Sequence, residues 1–385
     1  MIRSPFAVLA FLALVLLTGC WNKYELTEWA FVQAVAVDLT EDDRIRLTTQ
    51  FYKPGGGLEG APKASESFNI HTEGENMSEA ISNIANEVGR VAQWGHIRIV
   101  LVSEQIAKNQ NLKGILDYFL RDHEPRETAQ FAITKGLASD YLTHKPFIES
   151  TISQQLREIS QSSKRFTGMS KKMNLLQVAI ALKSQTGIAV LPYMASSGGK
   201  KDPAVMNGVA IFRDYSIVQP GIPAGKAEYL LMLRNEYERG VVTYPCEENP
   251  KSKKDTFEHV MVFSTTKVEP KGESVAVRIH LLLVGGYGEL RCSKIRNASD
   301  EDHIKQKIAE YVEQELQKEI SAMQARQLDL LNIGDALYRR HPALWLKWKS
   351  SWGRRLSQAT FQIKVEIQMT NTGLTKPMPY GDQEE

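Results

Sequence analysis

From Ser299 onward, apolar side chains recur every three or four residues, at Ile304, Ile308, Val312, Leu316, Ile320 and Met323. That spacing puts them on one stripe of an α-helix, and such a stripe has to be covered. Ser299-Asp-Glu-Asp supplies a capping start, so the pattern predicts a helix of about thirty residues packed along a sheet. Strand signals flank it. FEHVMVFSTTKVEPKGESVAVRIHLLLVGG reads as a long two-stranded unit with Pro270-Lys271-Gly272 at its tip, and ATFQIKVEIQM as a last strand before a polar tail. Upstream, NGVAIFRDYSIV reads as a hairpin turning at Arg213–Tyr215, and AGKAEYLLMLRNE as a helix.

The first half alternates between the two periods. AFVQAVAVDLTEDDRIRLTTQFYKP is two strands joined at the polar turn Thr40–Asp43, and GGGLEGAPKASES is a loop. FNIHT is a strand; Asn76 and Glu79 have capping-box spacing before the helix EAISNIANEVGR. HIRIVLVSE and TAQFAIT are strands on either side of the short helix LKGILDYFLRD, and helices follow near STISQQLREIS and NLLQVAIALKS. The fold class is therefore α+β with mixed α/β character: multi-domain, with mixed sheets flanked by helices and the long helix on the sheet of the C-terminal domain. The polar break SSGGKKDPA at Ser196–Ala204 places a boundary between an N-terminal α/β region, residues 20–200, and a C-terminal domain, residues 201–375. Residues 376–385 form the polar tail.

The amino terminus sets the compartment. Arg3 is the only charge in the first twenty residues, and Phe6 to Leu17 is wholly apolar. As a helix, that run reaches only ~18 Å, short of a ~30 Å hydrocarbon core. It has the layout of a secretory signal peptide. Leu17-Thr18-Gly19-Cys20 resembles the bacterial lipobox, which implies cleavage between Gly19 and Cys20 and acylation of Cys20. Residues 1–19 are then a lipoprotein signal peptide, and the mature chain is anchored to the membrane instead of spanning it. Removing Arg3 from 47 basic and 45 acidic residues leaves 46 − 45 = +1, with no electrostatic case for nucleic acid. Cys246 and Cys292 remain. Both end β-like runs, VVTYPC and GELRC, and an exported pair can form a disulfide; two separate buried thiols are the preferred reading. Two cysteines alone make no zinc site.

Nothing in the sequence selects a catalytic residue, metal site or cofactor. Gly55, Gly57 and Gly60 fit G-x-G-x-x-G, but Ala-Pro-Lys-Ala-Ser follows where a helix is required. The eight histidines form no H-E-x-x-H, and no G-x-S-x-G turn exposes a serine. Two clusters stand out as candidate surfaces. RDHEPR sets Arg121 and Arg126 around Asp122 and Glu124 at a helix end, either a partner-docking surface or, the preferred reading, a salt-bridged helix exit. In HPALWLKWKSSWGRRL, Trp345, Trp348 and Trp352 fall at helical spacing among Lys347, Lys349, Arg354 and Arg355. They suit either a membrane interface or, preferably, a core.

The lipobox followed by Cys-Trp-Asn, then GHIRIVLVSEQIAK, FLRDHEPR, GVAIFRDYSIV and LDLLNIGDALYRRHPALWLKWKSSW with a closing strand and TNTG, in this order, resembles the Ger(x)C family. These are the C-subunit lipoproteins of nutrient germinant receptors in spore-forming bacteria. The resemblance runs from Cys20 to about Thr375. It implies a three-domain α/β architecture, with the N-terminal region divided in two, and no catalytic residues. It also implies palmitate-type acylation, two integral-membrane partners (the A-type and B-type subunits) and a place on the outer face of the spore inner membrane. The expected function is a lipid-anchored, non-enzymatic receptor subunit. A solute-binding lipoprotein of a transporter and an exported cell-wall hydrolase are the alternatives.

Overall fold

The computed structural model describes residues 25–53, 66–122, 124–198, 203–246 and 253–371. Its first sheet contains β1 (Trp29–Leu39), β2 (Ile45–Lys53), β3 (Glu66–Gly74), β4 (Val91–Gln93), β5 (Ile99–Ser103), β6 (Gln130–Thr134), β7 (Ile188–Ser196), β8 (Ala204–Arg213) and β9 (Ser216–Ile222). The order is β3-β2-β1-β5-β6-β7-β8-β9, with β4 on β1. β1, β5, β6 and β7 are parallel, and antiparallel strands extend both sides. Parallel neighbours need crossovers, which helices provide. These are α1 (Met77–Ser82), α2 (Ile84–Val88), α3 (Glu104–Asn109), α4 (Lys113–Arg121), α5 (Ala138–Tyr141), α6 (Ile152–Ser162) and α7 (Leu175–Leu182).

One sheet face buries Val35, Val37, Val100, Val102, Phe131 and Ile133 under Met77, Ile106, Ile115, Phe119 and Val178. Ala34, Ala36 and Ala132 line the other face, and their small side chains let Tyr141, Ile152 and Leu156 sit close. The helix expected at EAISNIANEVGR is split at Asn83, whose Nδ2 donates to the Glu73 carbonyl at 2.9 Å. Asn76 accepts from Glu79 N as the capping pattern predicts, but Glu79 reaches back to Glu75 N, one residue before the cap.

The second domain has the sheet β10-β11-β12-β13, made of β10 (Gly240–Pro245), β11 (Lys254–Lys271), β12 (Ser274–Tyr287) and β13 (Thr360–Asn371). β12 and β13 are parallel, and the intervening chain supplies α9 (Ala298–Arg326), α10 (Ile333–Arg340), α11 (Pro342–Trp348) and α12 (Trp352–Ser357); α8 (Ala224–Leu233) precedes β10. All six predicted stripe residues of α9 are buried against this sheet and α8. The cap lies two residues before the predicted one, because Asn297 Oδ1 accepts from Asp300 N at 3.0 Å. The turn between β8 and β9 has positive φ at Asp214 and Tyr215, the pair a two-residue hairpin with right-handed strand twist requires.

β7 carries no alternating pattern that marks it in the sequence. It pairs with β8 from Ile188↔Arg213 to Ser196↔Ala204, so the polar segment 196–204 connects two strands of one sheet. Their side chains divide between two cores. Ala189, Leu191, Ala210 and Phe212 join the helices of the first domain, whereas Ile188, Val190, Val209 and Ile211 pack against the second.

The expectation of separate thiols is corrected: Cys246 and Cys292 form a disulfide, with Cα atoms 6.1 Å apart. Asp255, fully buried at the start of β11, accepts from Arg291 N at 2.6 Å and Cys292 N at 3.1 Å. This carboxylate folds a loop back against the end of β10, and Cys292 lies in that loop, not on a strand. Without reductant, the intact mass should be lower by two hydrogens. For the 46-residue separation, breaking the bond with Cys292→Ser should cost about 4 kcal/mol in chemical denaturation.

Candidate functional site

Cys20 and Gly19 lie outside the described residues. The other predicted positions divide sharply. Trp345, Trp348 and Trp352 are buried in the second core, at 0 %, 4 % and 6 % exposure. Trp345 and Trp352 meet edge to face at 5.1 Å, and the Arg355 guanidinium sits 4.5 Å over Trp348. The indole N–H groups of Trp352 and Trp345 are used: Trp352 donates to Asp329 at 3.0 Å and Trp345 to Gln185 Oε1 at 3.3 Å. Gly334 is required beside them, since a Cβ there would lie 2.6 Å from the Trp345 ring. The intervening Lys347, Lys349 and Arg354 are exposed.

Among the described residues of RDHEPR, Arg121 pairs outside the motif and not with Asp122 or Glu124. Arg121 Nε binds Asp117 at 2.7 Å, one helical turn back on α4. Asp122 instead accepts from Tyr118 Oη at 3.1 Å and Glu124 N at 3.0 Å, which closes the helix exit. Glu124 and Arg126 are exposed. Asp117, Tyr118, Arg121 and Asp122 line a cleft of about 620 Å³ whose far wall is Glu75–Ser78 at the start of α1. The Arg121 hydrogen bond holds the Asp117 carboxyl below its usual range, and burial raises the Tyr118 hydroxyl.

A second surface was not legible in the sequence. Phe166, Met261 and Phe263 are each about half exposed around a groove of about 520 Å³, rimmed by Arg165, Glu238 and Arg239. Phe166 lies on a π-helical turn, Ser163–Thr167; Met261 follows a bulge in β11. The nearest sequence signal is an aromatic and a methionine inside the polar run SSKRFTGMS.

Below this groove the domains are joined by a partly buried ionic cluster, in which the two cations are more enclosed than Glu236. Lys171 Nζ meets Glu236 Oε2 at 2.6 Å, and Arg234 grips both oxygens of Glu236 at 2.9 and 3.0 Å. Arg234 also donates to the Leu330 carbonyl. Burial, then the Arg234 charge, lowers Lys171 to about 8 against the pull of Glu236. Burial raises Glu236, but Arg234 and then Lys171 outweigh it and bring the carboxyl down to about 2. A depressed carboxylate stabilises the fold above its unfolded value of 4.5, and that contribution is lost as pH falls through about 2.

Glu236→Gln should therefore cost about 3–5 kcal/mol at neutral pH by leaving two buried cations without their carboxylate. In thermal melts, its stability should fall less steeply than that of the wild type between pH 4.5 and 2. A difference that does not change with pH would count against the cluster.

Two family models cover most of the chain. Residues 22–196 match the spore germination protein N-terminal domain, and residues 207–373 match the spore germination B3/GerAC-like C-terminal domain. Spore germination protein KC of Bacillus subtilis (strain 168) is 26 % identical over 97 % of this chain and 96 % of its own length. Spore germination protein B3 of the same organism is 25 % identical over 96 % and 98 %. The crystal structure of the GerBC protein has the same fold, with a TM-score of 0.56 and 19 % identity over 88 % of this chain and 97 % of that one. The chain belongs to the GerAC, or Ger(x)C, family of spore germination proteins.

Proposed function

We propose that this chain is a lipid-anchored, non-catalytic subunit of a nutrient germinant receptor, which acts in spore germination by assembling with two integral-membrane subunits, one A-type and one B-type. The observation that carries this reading is coverage. Relatives named as spore germination proteins align from end to end, through both domains. None of the described helices is long and apolar enough to cross a membrane. In this reading, attachment comes from acyl chains on Cys20 after removal of residues 1–19, at about 0.8 kcal/mol per buried methylene. Confinement to the outer face of the spore inner membrane raises the effective concentration of the folded body for its partners.

Two exposed surfaces suit protein contacts. The groove at Phe166, Met261 and Phe263 combines aromatic, methionine and arginine side chains, the composition favoured at interface centres. The α4 corner at Arg121 and Asp122 offers charge at a rigid helix end. The division into residues 20–200 and 201–375 belongs to the same proposal, as a division between the two family regions, with β8 and β9 of the second region completing the first sheet.

Affinity purification from spore inner membranes should recover two integral-membrane polypeptides with this chain. Cys20→Ala should leave uncleaved precursor and deplete the mature, membrane-bound form. Phe263→Asp should reduce co-purification several-fold while the melting temperature stays within a few degrees, because the side chain is half exposed. Recovery of the chain alone, without acyl modification, would overturn the reading. Strong thermal stabilisation by one free amino acid or sugar would instead support a solute-binding lipoprotein.

A further inference from the structure

Among the described residues β13 is an edge strand, twelve residues long and paired only with β12. Its outer edge can be read from one bond. Val365 N–H points away from β12 and donates to Glu313 Oε1 of α9 at 2.9 Å. Strand alternation sends the backbone groups of Phe361, Ile363, Ile367 and Met369 to the same side. A long open edge of this kind is a template for another strand.

The order of side chains on that edge narrows the choice of strand. From Phe361 to Met369 the sequence is FQIKVEIQM, which is symmetric in chemical class about Val365. Phe361, Ile363, Val365, Ile367 and Met369 face the core side, where all but Val365 remain partly exposed; Gln362, Lys364, Glu366 and Gln368 face solvent. Laid antiparallel on itself about Val365, the strand puts Ile363 opposite Ile367, Gln362 opposite Gln368, and Phe361 opposite Met369. Lys364 falls opposite Glu366 twice, by symmetry. Val365 then forms a hydrogen-bonded pair with its own copy, and the Lys–Glu contacts fall at the closer, non-hydrogen-bonded positions.

We propose that β13 is a self-pairing edge, through which two copies of this chain join antiparallel about Val365 into one continuous eight-stranded sheet. The four strands of each second domain supply that sheet. Each copy offers the same patch, so the contact closes as a two-fold dimer and goes no further. Glu313 competes with the pairing, because its carboxylate holds the central N–H that the second copy needs.

The test is sedimentation equilibrium of the full chain in detergent across a wide concentration range. Wild type should show a reversible monomer–dimer equilibrium. Lys364→Glu should weaken it roughly ten-fold by setting like charges opposite each other twice. The exchange Lys364→Glu with Glu366→Lys should restore it, and Glu313→Ala should strengthen it. The exchanged variant keeps the Lys–Glu contact within the strand, which the wild type makes at 2.5 Å, so it controls for folding. A monomer at every concentration for both wild type and Glu313→Ala would overturn the proposal. So would a dimer indifferent to these substitutions. A dimer appearing only after removal of residues 372–385 would show that the chain's own end covers the edge, and would equally defeat pairing with a second copy.

Discussion

The architecture depends on two strands whose faces are both buried. β7 and β8 give alternate side chains to different cores: Ala189, Leu191, Ala210 and Phe212 to one, and Ile188, Val190, Val209 and Ile211 to the other. The second domain is therefore not hung from a linker. It covers the back of the first sheet where α5 and α6 stop covering it. Apolar area buried on both sides of two strands is large, at about 25 cal/mol per Å² removed from water. That shared core makes the two domains one mechanical body. The Lys171–Glu236–Arg234 cluster then fixes their orientation, since three charges at these distances tolerate little sliding.

Buried carboxylates serve the same end elsewhere. Asp38 accepts from Ala138 N and Ser139 N at the start of α5. Asp329 accepts from Ile333 N, Gly334 N and Trp352 Nε1, which ties the start of α10 to the tryptophan cluster. Asp255 gathers the loop that carries Cys292. In each case the oxygens are already engaged by backbone, hydroxyl or indole donors. Burial raises Asp38 and Asp329 above the ordinary carboxylate range, while the donated hydrogen bonds oppose it. A perturbed carboxyl is a common mark of catalysis, but here its partners are structural ones, at the joints between elements.

What was legible in the sequence follows from periodicity. The α9 stripe and the alternation of β12 stand out because each element has one dry and one wet face. β7 has no wet face. IAVLPYMA is a continuous apolar run, and Pro192 within it argues against a central strand until the bulge between Pro192 and Met194 is seen. Without β7, nothing in the sequence shows that the polar residues after it join two strands of one sheet. RDHEPR misled for a related reason. Its charges are close in sequence, but on a helix Arg121 meets the residue four before it, Asp117. The Phe166 groove joins segments almost a hundred residues apart, and no local pattern reports such a surface.

The shared core also bears on how a ligand could act. Capture of a solute by closure of two lobes needs an interface that opens and shuts about a hinge. The seam here does contain a polar cleft of about 530 Å³, bordered by Arg213, Arg326 and Lys349. Its floor includes Trp345 and Asp329, whose hydrogen bonds are committed to Gln185 and to α10. Opening it would expose Ile188 and Val190 and break the Trp345–Gln185 and Gln185–Asp335 contacts together. A body joined in this way presents its outer surfaces at fixed separation. That suits a scaffold held beside membrane subunits better than a clamp that must move to bind.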